Sequence, residues 1–382
     1  MPVSASAGGS GGATRRSAVA LPRGIVAGSG RIRVAIVGAT GYVGAELIRL
    51  LSRHPQVRIV GLVGRGRQHE PIGGTHVHLD RTGLHLDATV PETDAVFLAL
   101  PHGAAAEIVP DLAAGGAAIV DLGPDFRLRD PADYPRWYGF EHPRPDLLAR
   151  AVYGLPELHG DALRALADEP TAIVGAPGCY PTATLLALAP LARAGLLADL
   201  VVDATSGVSG AGREPKADLM FGEVNESVRA YAVGGHRHVA EIEQELAALG
   251  AASPLGDAAL NPGARGVGFL PHLVPMTRGI LATCHVRPTH PVTQTELDAL
   301  YAEAYAGTAF VHVVTQPPAT KHVLGANTCR VHVRLDERTG RVLALAVIDN
   351  LVKGAAGQAI QAFNLVHGLA ETTGLEQHPL VP

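Results

Sequence analysis

Residues 38–44 read GATGYVG. They lie between an apolar run at 31–38 (RIRVAIVG) and a helical stretch that reaches His54 and stops before Pro55. A buried strand, a turn with three glycines and a helix, in that order, constrain the fold more than any other stretch of the chain. The glycines allow a tight turn and a close backbone approach to a pyrophosphate held at the helix N-terminus. The spacing is G-x-x-G-x-x-G rather than the commoner G-x-G-x-x-G, so the flanking strand and helix carry the dinucleotide-binding reading. Further strand-like runs follow at 57–63, 94–100 (DAVFLAL) and 117–122 (AAIVDL), the last two separated by an Ala-rich helical pattern. Strands alternating with helices predict an α/β, Rossmann-type, doubly wound parallel sheet over residues 31–177.

The pattern then changes. Strand-like runs at 200–205, 279–288, 309–314, 328–335 and 342–348 alternate in polarity, as in a half-buried, mostly antiparallel sheet. The helix from Val239 carries Ile242, Leu246 and Leu249 on one face, with Glu241, Glu243 and Glu245 elsewhere. These residues predict an inserted α+β domain over 178–349, to which the family resemblance described below assigns catalysis and oligomerisation. Residues 350–382 hold a helix with Ala355, Ala356, Gly357 and Ala359, small enough to pack closely on returning to the first domain. Residues 1–30 are rich in Gly, Ala and Ser and contain no acidic residue. Without an amphipathic helix of spaced arginines they read as a disordered extension rather than a transit peptide.

Cys179 is the residue with the clearest chemistry. It lies in GAPGCYPT at 175–182, where Pro177 and Gly178 set a bend and Pro181 suits a first helical turn. A helix follows to Ala194, with Pro190 as a point where it can kink and Gly195 as a stop. A thiol at a helix N-terminus is expected to favour the thiolate, the form that attacks an acyl carbon. The three cysteines, at 179, 284 and 329, lack metal-type spacing and point to a reducing compartment, the cytoplasm. A net charge of −5 without a Lys/Arg cluster argues against nucleic acid, and no apolar run is long enough for a membrane span.

Two further stretches carry charge where a ligand needs it. At the end of the second strand, where an NAD site places a carboxylate, the chain reads Gly64-Arg65-Gly66-Arg67. Two guanidinium groups and no carboxylate suit a 2′-phosphate, hence NADP(H). Gly234-Gly235-His236-Arg237-His238 offers a histidine on a glycine-flanked loop as a general acid/base, and no partner ligand supports a metal reading. Arg127, at the end of DLGPDFR, stands on the cofactor edge of the sheet and is a candidate for an anionic substrate, or else a salt-bridged loop residue.

These pieces coincide with a known family. The chain resembles N-acetyl-gamma-glutamyl-phosphate reductase, related to aspartate-semialdehyde dehydrogenase. The matching stretches are GATGYVG, FLALPHG at 97–103, DLGPDFRL at 121–128, YGLPEL at 153–158, PGCYPT at 177–182 and SGVSGAGR at 206–213. They continue with GGHRH at 234–238, PHLVPMTRGILATC at 271–284 and IDNLVKGAAGQAIQAFN at 348–364. The resemblance implies NADPH-dependent reduction of an acyl phosphate to a semialdehyde through a Cys179 thioester, in arginine biosynthesis; the aminoadipyl counterpart in lysine biosynthesis is the alternative. It implies a histidine of GGHRH as acid/base, taken as His236, with Arg127 and His238 on the substrate. It implies that Gly38, Thr40, Gly41, Tyr42, Val43, Gly44, Arg65, Arg67, Ser209, Gly210 and Asn350 hold the cofactor, and that the protein is a homo-oligomer, a dimer or tetramer. Gly123-Pro124 stands where many relatives have Ser-Ala, so no serine contact is expected there.

Overall fold

The computed structural model describes residues 30–66, 68–250 and 266–381. Arg67 and nearly all of the N-terminal extension lie outside the described residues.

Six strands form the first sheet: β1 (Ile32–Val37), β2 (Val57–Val63), β3 (Ala95–Leu98), β4 (Ala118–Asp121), β5 (Val152–Tyr153) and β6 (Ile173–Gly175). Their order is β2-β1-β3-β4-β6-β5, and every pairing is parallel. The near-continuous apolar runs follow from this, because β1, β3 and β4 are covered on both faces. The chain leaves β1 for β2 on one side and returns to β3 on the other. The carboxyl ends of β1 and β3 therefore flank the crevice where such sheets take ligands. The glycine loop lies there. Gly38 has φ 90°, and a Cβ on it would stand 2.2 Å from the Ala99 carbonyl oxygen. A Cβ on Gly44 would stand 2.3 Å from the Gly38 carbonyl oxygen, so only glycine lets the helix Tyr42–Leu51 settle onto its own loop.

The second sheet has seven strands: β7 (Asp199–Ser206), β8 (Arg229–Ala230), β9 (Gly268–Leu273), β10 (Ile280–Arg287), β11 (Val311–Val313), β12 (Cys329–Asp336) and β13 (Arg341–Ile348). Their order is β11-β12-β13-β10-β7-β9-β8. The sheet is mostly antiparallel as expected, but β7/β9 and β11/β12 pair in parallel. A parallel pair needs a crossover, and the long excursion between β7 and β9, which carries the helix His238–Ala248, supplies one. One face of this sheet buries alternate residues of β10, such as Ala282, Cys284 and Val286. The helix Cys179–Arg193 covers that face and is enclosed along nearly its whole length, running on through Pro190.

After β13 the chain makes a π-helical turn, Val352–Ala356, and then the helix Gly357–Val366. Val352, Ala356, Ala359 and Phe363 join the core of the first sheet beside Val34, Ile36 and Phe97. Arg278, between β9 and β10, reaches Glu46 of the glycine-loop helix at 3.1 Å and Asp349 at 3.5 Å. This clamp ties the second sheet's loops to the first domain.

Candidate active site

Cys179 opens the helix that follows β6, with Gly178 as its extended N-cap. The approach is tight: a Cβ on Gly175 would stand 2.0 Å from the Phe126 carbonyl oxygen, and one on Gly178 2.6 Å from His238 Nε2. On the other side a Cβ on Gly354, in the π-turn, would stand 2.8 Å from the Cys179 Cβ. The backbone leading to the thiol is thus closely packed at Gly175 and Gly178, and Gly354 meets Cys179 itself. Burial pushes its pKa up to about 11, against the opposing pull of the Arg127 charge and the Tyr180 N–H. This corrects the expectation of a resting thiolate. The helix terminus acts as foreseen, but the cost of desolvating sulfur is larger, and the resting group is a thiol.

His236 and His238 are both buried, and both line the same cavity of about 280 Å3 as Cys179. His236 sits edge-on to Tyr180, with ring centroids 5.5 Å apart, and near Tyr231 and Phe269. Its Nδ1 accepts the His238 backbone N–H at 3.2 Å, leaving Nε2 as the ring's other exchange site. Burial, aided by Arg237, lowers its pKa to about 4, so the resting ring is neutral. Burial and the neighbouring His236 hold His238 well below the usual imidazole range, and its Nδ1 has no hydrogen-bond partner among the described residues.

Arg127 is placed differently from the expectation of a substrate contact. Its Nε donates to the Ala176 carbonyl at 2.8 Å, its Nη2 to the Leu122 carbonyl at 2.8 Å and its Nη1 to Glu241 at 3.1 Å. It is buried behind the cavity wall and is not among the cavity's lining residues. Glu241, fully enclosed, also accepts from Tyr153 Oη at 2.9 Å and from the Gly178 N–H at 3.0 Å. The sequence reading assigned Glu241 and Glu245 away from the apolar face; the structure buries both. Their carboxylates face arginines from the DLGPDFRLR stretch, Arg127 and Arg129. The i, i+3 spacing of His238 and Glu241 on one helical face was the available signal.

A second cavity of about 500 Å3 lies between the helix Tyr42–Leu51 and the loop after β7. Tyr42 and Ser209 line it, with Arg213 and Lys216, two cations the sequence reading did not single out. Arg213 donates to the Thr40 carbonyl of the glycine loop at 3.2 Å. Asn350 donates to Ser209 Oγ at 3.0 Å and accepts the Gly279 N–H at 2.8 Å, while Gly210 lines the thiol's cavity. Arg65 donates its backbone N–H to Thr40 Oγ1, and its exposed guanidinium pairs with Glu214 at 3.2 Å. The Gly38/Gly44 cradle, closed to any Cβ, fits a dinucleotide pyrophosphate. Among the described residues no cluster of His, Cys, Asp or Glu is disposed to hold a metal.

Comparison with known proteins agrees with this geometry. Residues 33–166 match the semialdehyde dehydrogenase NAD binding domain, and residues 179–350 the semialdehyde dehydrogenase dimerisation domain. The N-acetyl-gamma-glutamyl-phosphate reductase of Heliobacterium modesticaldum is 46% identical, over 92% of this chain and 100% of that protein. That of Desulforudis audaxviator is 47% identical over the same shares. Among solved structures, aspartate semialdehyde dehydrogenase II of Vibrio cholerae, complexed with ASA, has a TM-score of 0.64 at 18% identity, covering 88% of this chain and 98% of that one. The Candida albicans aspartate semialdehyde dehydrogenase with NADP has a TM-score of 0.64 at 17% identity, covering 90% and 99%. At these identities the structural likeness speaks for the fold.

Proposed function

The chain belongs to the N-acetyl-gamma-glutamyl-phosphate reductase family, and from that premise we propose that it reduces N-acetyl-gamma-glutamyl phosphate to the semialdehyde with NADPH, releasing phosphate, in arginine biosynthesis. The observation that carries this reading is a thiol at a helix N-terminus sharing one cavity with a neutral histidine, beside the glycine-loop crevice. Neutral His236 shares the cavity with the thiol and serves as the base that takes the Sγ proton as sulfur attacks. Sγ attacks the acyl carbon, the C–O bond to phosphate breaks, and the Sγ proton passes by way of His236 to the leaving phosphate. The Tyr180 N–H near Sγ is suited to an oxyanion on that carbon. NADPH, when bound, supplies the hydride that reduces the thioester. The thiohemiacetal then releases the semialdehyde, and a second proton, from solvent through His236, restores the thiol. Gly38, Gly41 and Gly44 hold the pyrophosphate, with Thr40, Tyr42 and Val43 completing that turn. Ser209, Gly210 and Asn350 border the reacting end. Arg65 holds the 2′-phosphate.

The protein works in the cytoplasm as a homo-oligomer. Its open sheet face, which includes Val201 at 40% exposure, meets a second copy. In support, no helix of the described residues is long and apolar enough to cross a membrane, and its three cysteines are free. The test is phosphate-dependent reduction of NADP+ by N-acetylglutamate semialdehyde, with the one-methylene-longer aminoadipyl homologue alongside. Turnover of the first, lost in Cys179→Ser and lowered roughly a hundredfold in kcat by His236→Asn, is the expected result. Preference for the longer substrate overturns the substrate assignment, and an active serine variant overturns the thioester.

A further inference from the structure

The charges around the thiol's cavity do not cancel. Arg127 is matched by Glu241 at 3.1 Å, and Arg229, a lining residue, by Asp218 at 2.7 Å. Two lining cations remain, Arg237 and Lys216; both are exposed, and neither side chain makes a direct hydrogen bond or ion pair with a described residue, although Glu241 and Asp218 act on them at longer range. Arg237 stands between the two active-site histidines in sequence; the Arg127 charge opposes its own, and Glu241, already bonded to Arg127, acts on it without direct contact. Lys216 lies on the loop after β7 and lines both the thiol's cavity and the cofactor-side cavity. Two cations without a direct partner, facing one cavity, suit an anionic ligand with two charged ends.

We propose that Arg237, rather than Arg127, receives the phosphoryl group of the acyl phosphate, and that Lys216 receives the carboxylate at the substrate's other end. This rests on the reaction proposed above. The phosphoryl group is bonded to the carbon that Sγ attacks, so its receptor must adjoin the thiol. Arg237 does so, flanked by His236 and by His238, whose ring stands against Gly178. A planar guanidinium with all its donors free is suited to a two-pronged grip on phosphate. Arg127 has its Nε and both Nη atoms engaged and serves to hold the wall. Lys216 is the remaining lining cation without a direct partner and takes the remaining anion.

Two measurements test this on the full-length protein. The first needs no turnover: the rate of Cys179 alkylation by anionic iodoacetate relative to neutral iodoacetamide, at low salt. A cation without a direct partner beside the thiol favours the anion, so Arg237→Gln lowers that ratio roughly tenfold, and inorganic phosphate protects the parent against iodoacetate but not the variant. The second is steady-state kinetics in the oxidative direction. Arg237→Gln raises the KM for phosphate roughly tenfold to a hundredfold, Arg237→Lys less, and Lys216→Gln raises the KM for the semialdehyde while leaving that for phosphate within about twofold. Unchanged alkylation ratio and phosphate protection in Arg237→Gln overturn the phosphoryl assignment even if the enzyme turns over as proposed. An unchanged semialdehyde KM in Lys216→Gln overturns the carboxylate assignment. A parent with the expected alkylation behaviour but no turnover overturns the reaction and leaves the anion receptor standing.

Discussion

The position of Cys179 was legible in the sequence; its acidity was not. PGCYPT places a cysteine at a helix start from local signals alone. Cys179 is crowded by Gly354 and its N-cap Gly178 by His238, residues far along the chain that no local pattern links to it. Burial raises its pKa to about 11, while Cys329, fully buried, is pushed up to about 12 and Cys284 higher. Iodoacetamide should therefore label Cys179 first, slowly at pH 7, with the rate climbing about tenfold per pH unit up to pH 10. A labelling plateau near pH 8, read by mass spectrometry, would show that the terminus outweighs burial after all. Arg65 illustrates the opposite case, in which composition pointed to a role that the surroundings leave open. Its ion pair with Glu214 is exposed and contributes at most about 1 kcal/mol, so a 2′-phosphate can replace the carboxylate. Arg65→Ala should lower NADPH affinity roughly tenfold and NADH affinity little, measured by fluorescence titration. Equal losses for the two cofactors would place the 2′-phosphate elsewhere.

Among the elements, the small-residue stretch after β13 carries more than the sequence reading gave it. Ala356 and Ala359 do pack into the first sheet's core, as their size suggested. The turn before them opens into a π-helix, with the buried ammonium of Lys353 held by Glu157 at 2.6 Å and Gln361 at 2.7 Å. Periodicity cannot announce a single widened turn, because a π-turn shifts the phase by only one residue. The consequence is that Gly354 meets the nucleophile's own backbone. A Cβ there would stand 2.8 Å from Cys179 Cβ and 3.3 Å from Cys179 Cα. Ile348 Cδ1, the third neighbour, can swing away, but the helix start cannot. Gly354→Ala should lower kcat by roughly tenfold to a hundredfold through misplacement of sulfur, at a stability cost of about 1–3 kcal/mol. NADPH affinity should be unchanged, because the glycine loop is untouched. A variant with parental kcat would mean that the π-turn yields and does not position the thiol.

At the scale of the whole molecule, the two-sheet architecture followed from hydrophobic period alone, whereas the charges buried between the parts did not. His236 and His238 are kept neutral by burial, and Asp121, at the end of β4, is pushed the other way. The histidines' folded pKa values lie below the unfolded value, so their contribution is present above about pH 6.5 and is lost as pH falls toward 4. Asp121 is fully buried beside Asp125, and its pKa is raised to about 7. Its Oδ1 accepts the Gly123 N–H at 2.8 Å, but Oδ2 has no hydrogen-bond partner among the described residues. A raised pKa means that the folded state holds this proton more tightly than the unfolded chain, so its contribution is present at acid pH and lost as pH rises through 7. The two effects oppose each other, and stability should peak between them, in the range of about pH 6–7. Asp121→Asn separates them. The amide keeps the oxygen that Gly123 needs and cannot ionise, so the variant escapes the loss that accrues between about pH 4 and pH 7. Its melting temperature relative to the parent should rise between pH 5 and pH 8, while the acid-side decline set by the histidines stays as it was. A difference from the parent that is the same at both pH values would mean that Asp121 is already ionised, with solvent or an unassigned donor satisfying Oδ2.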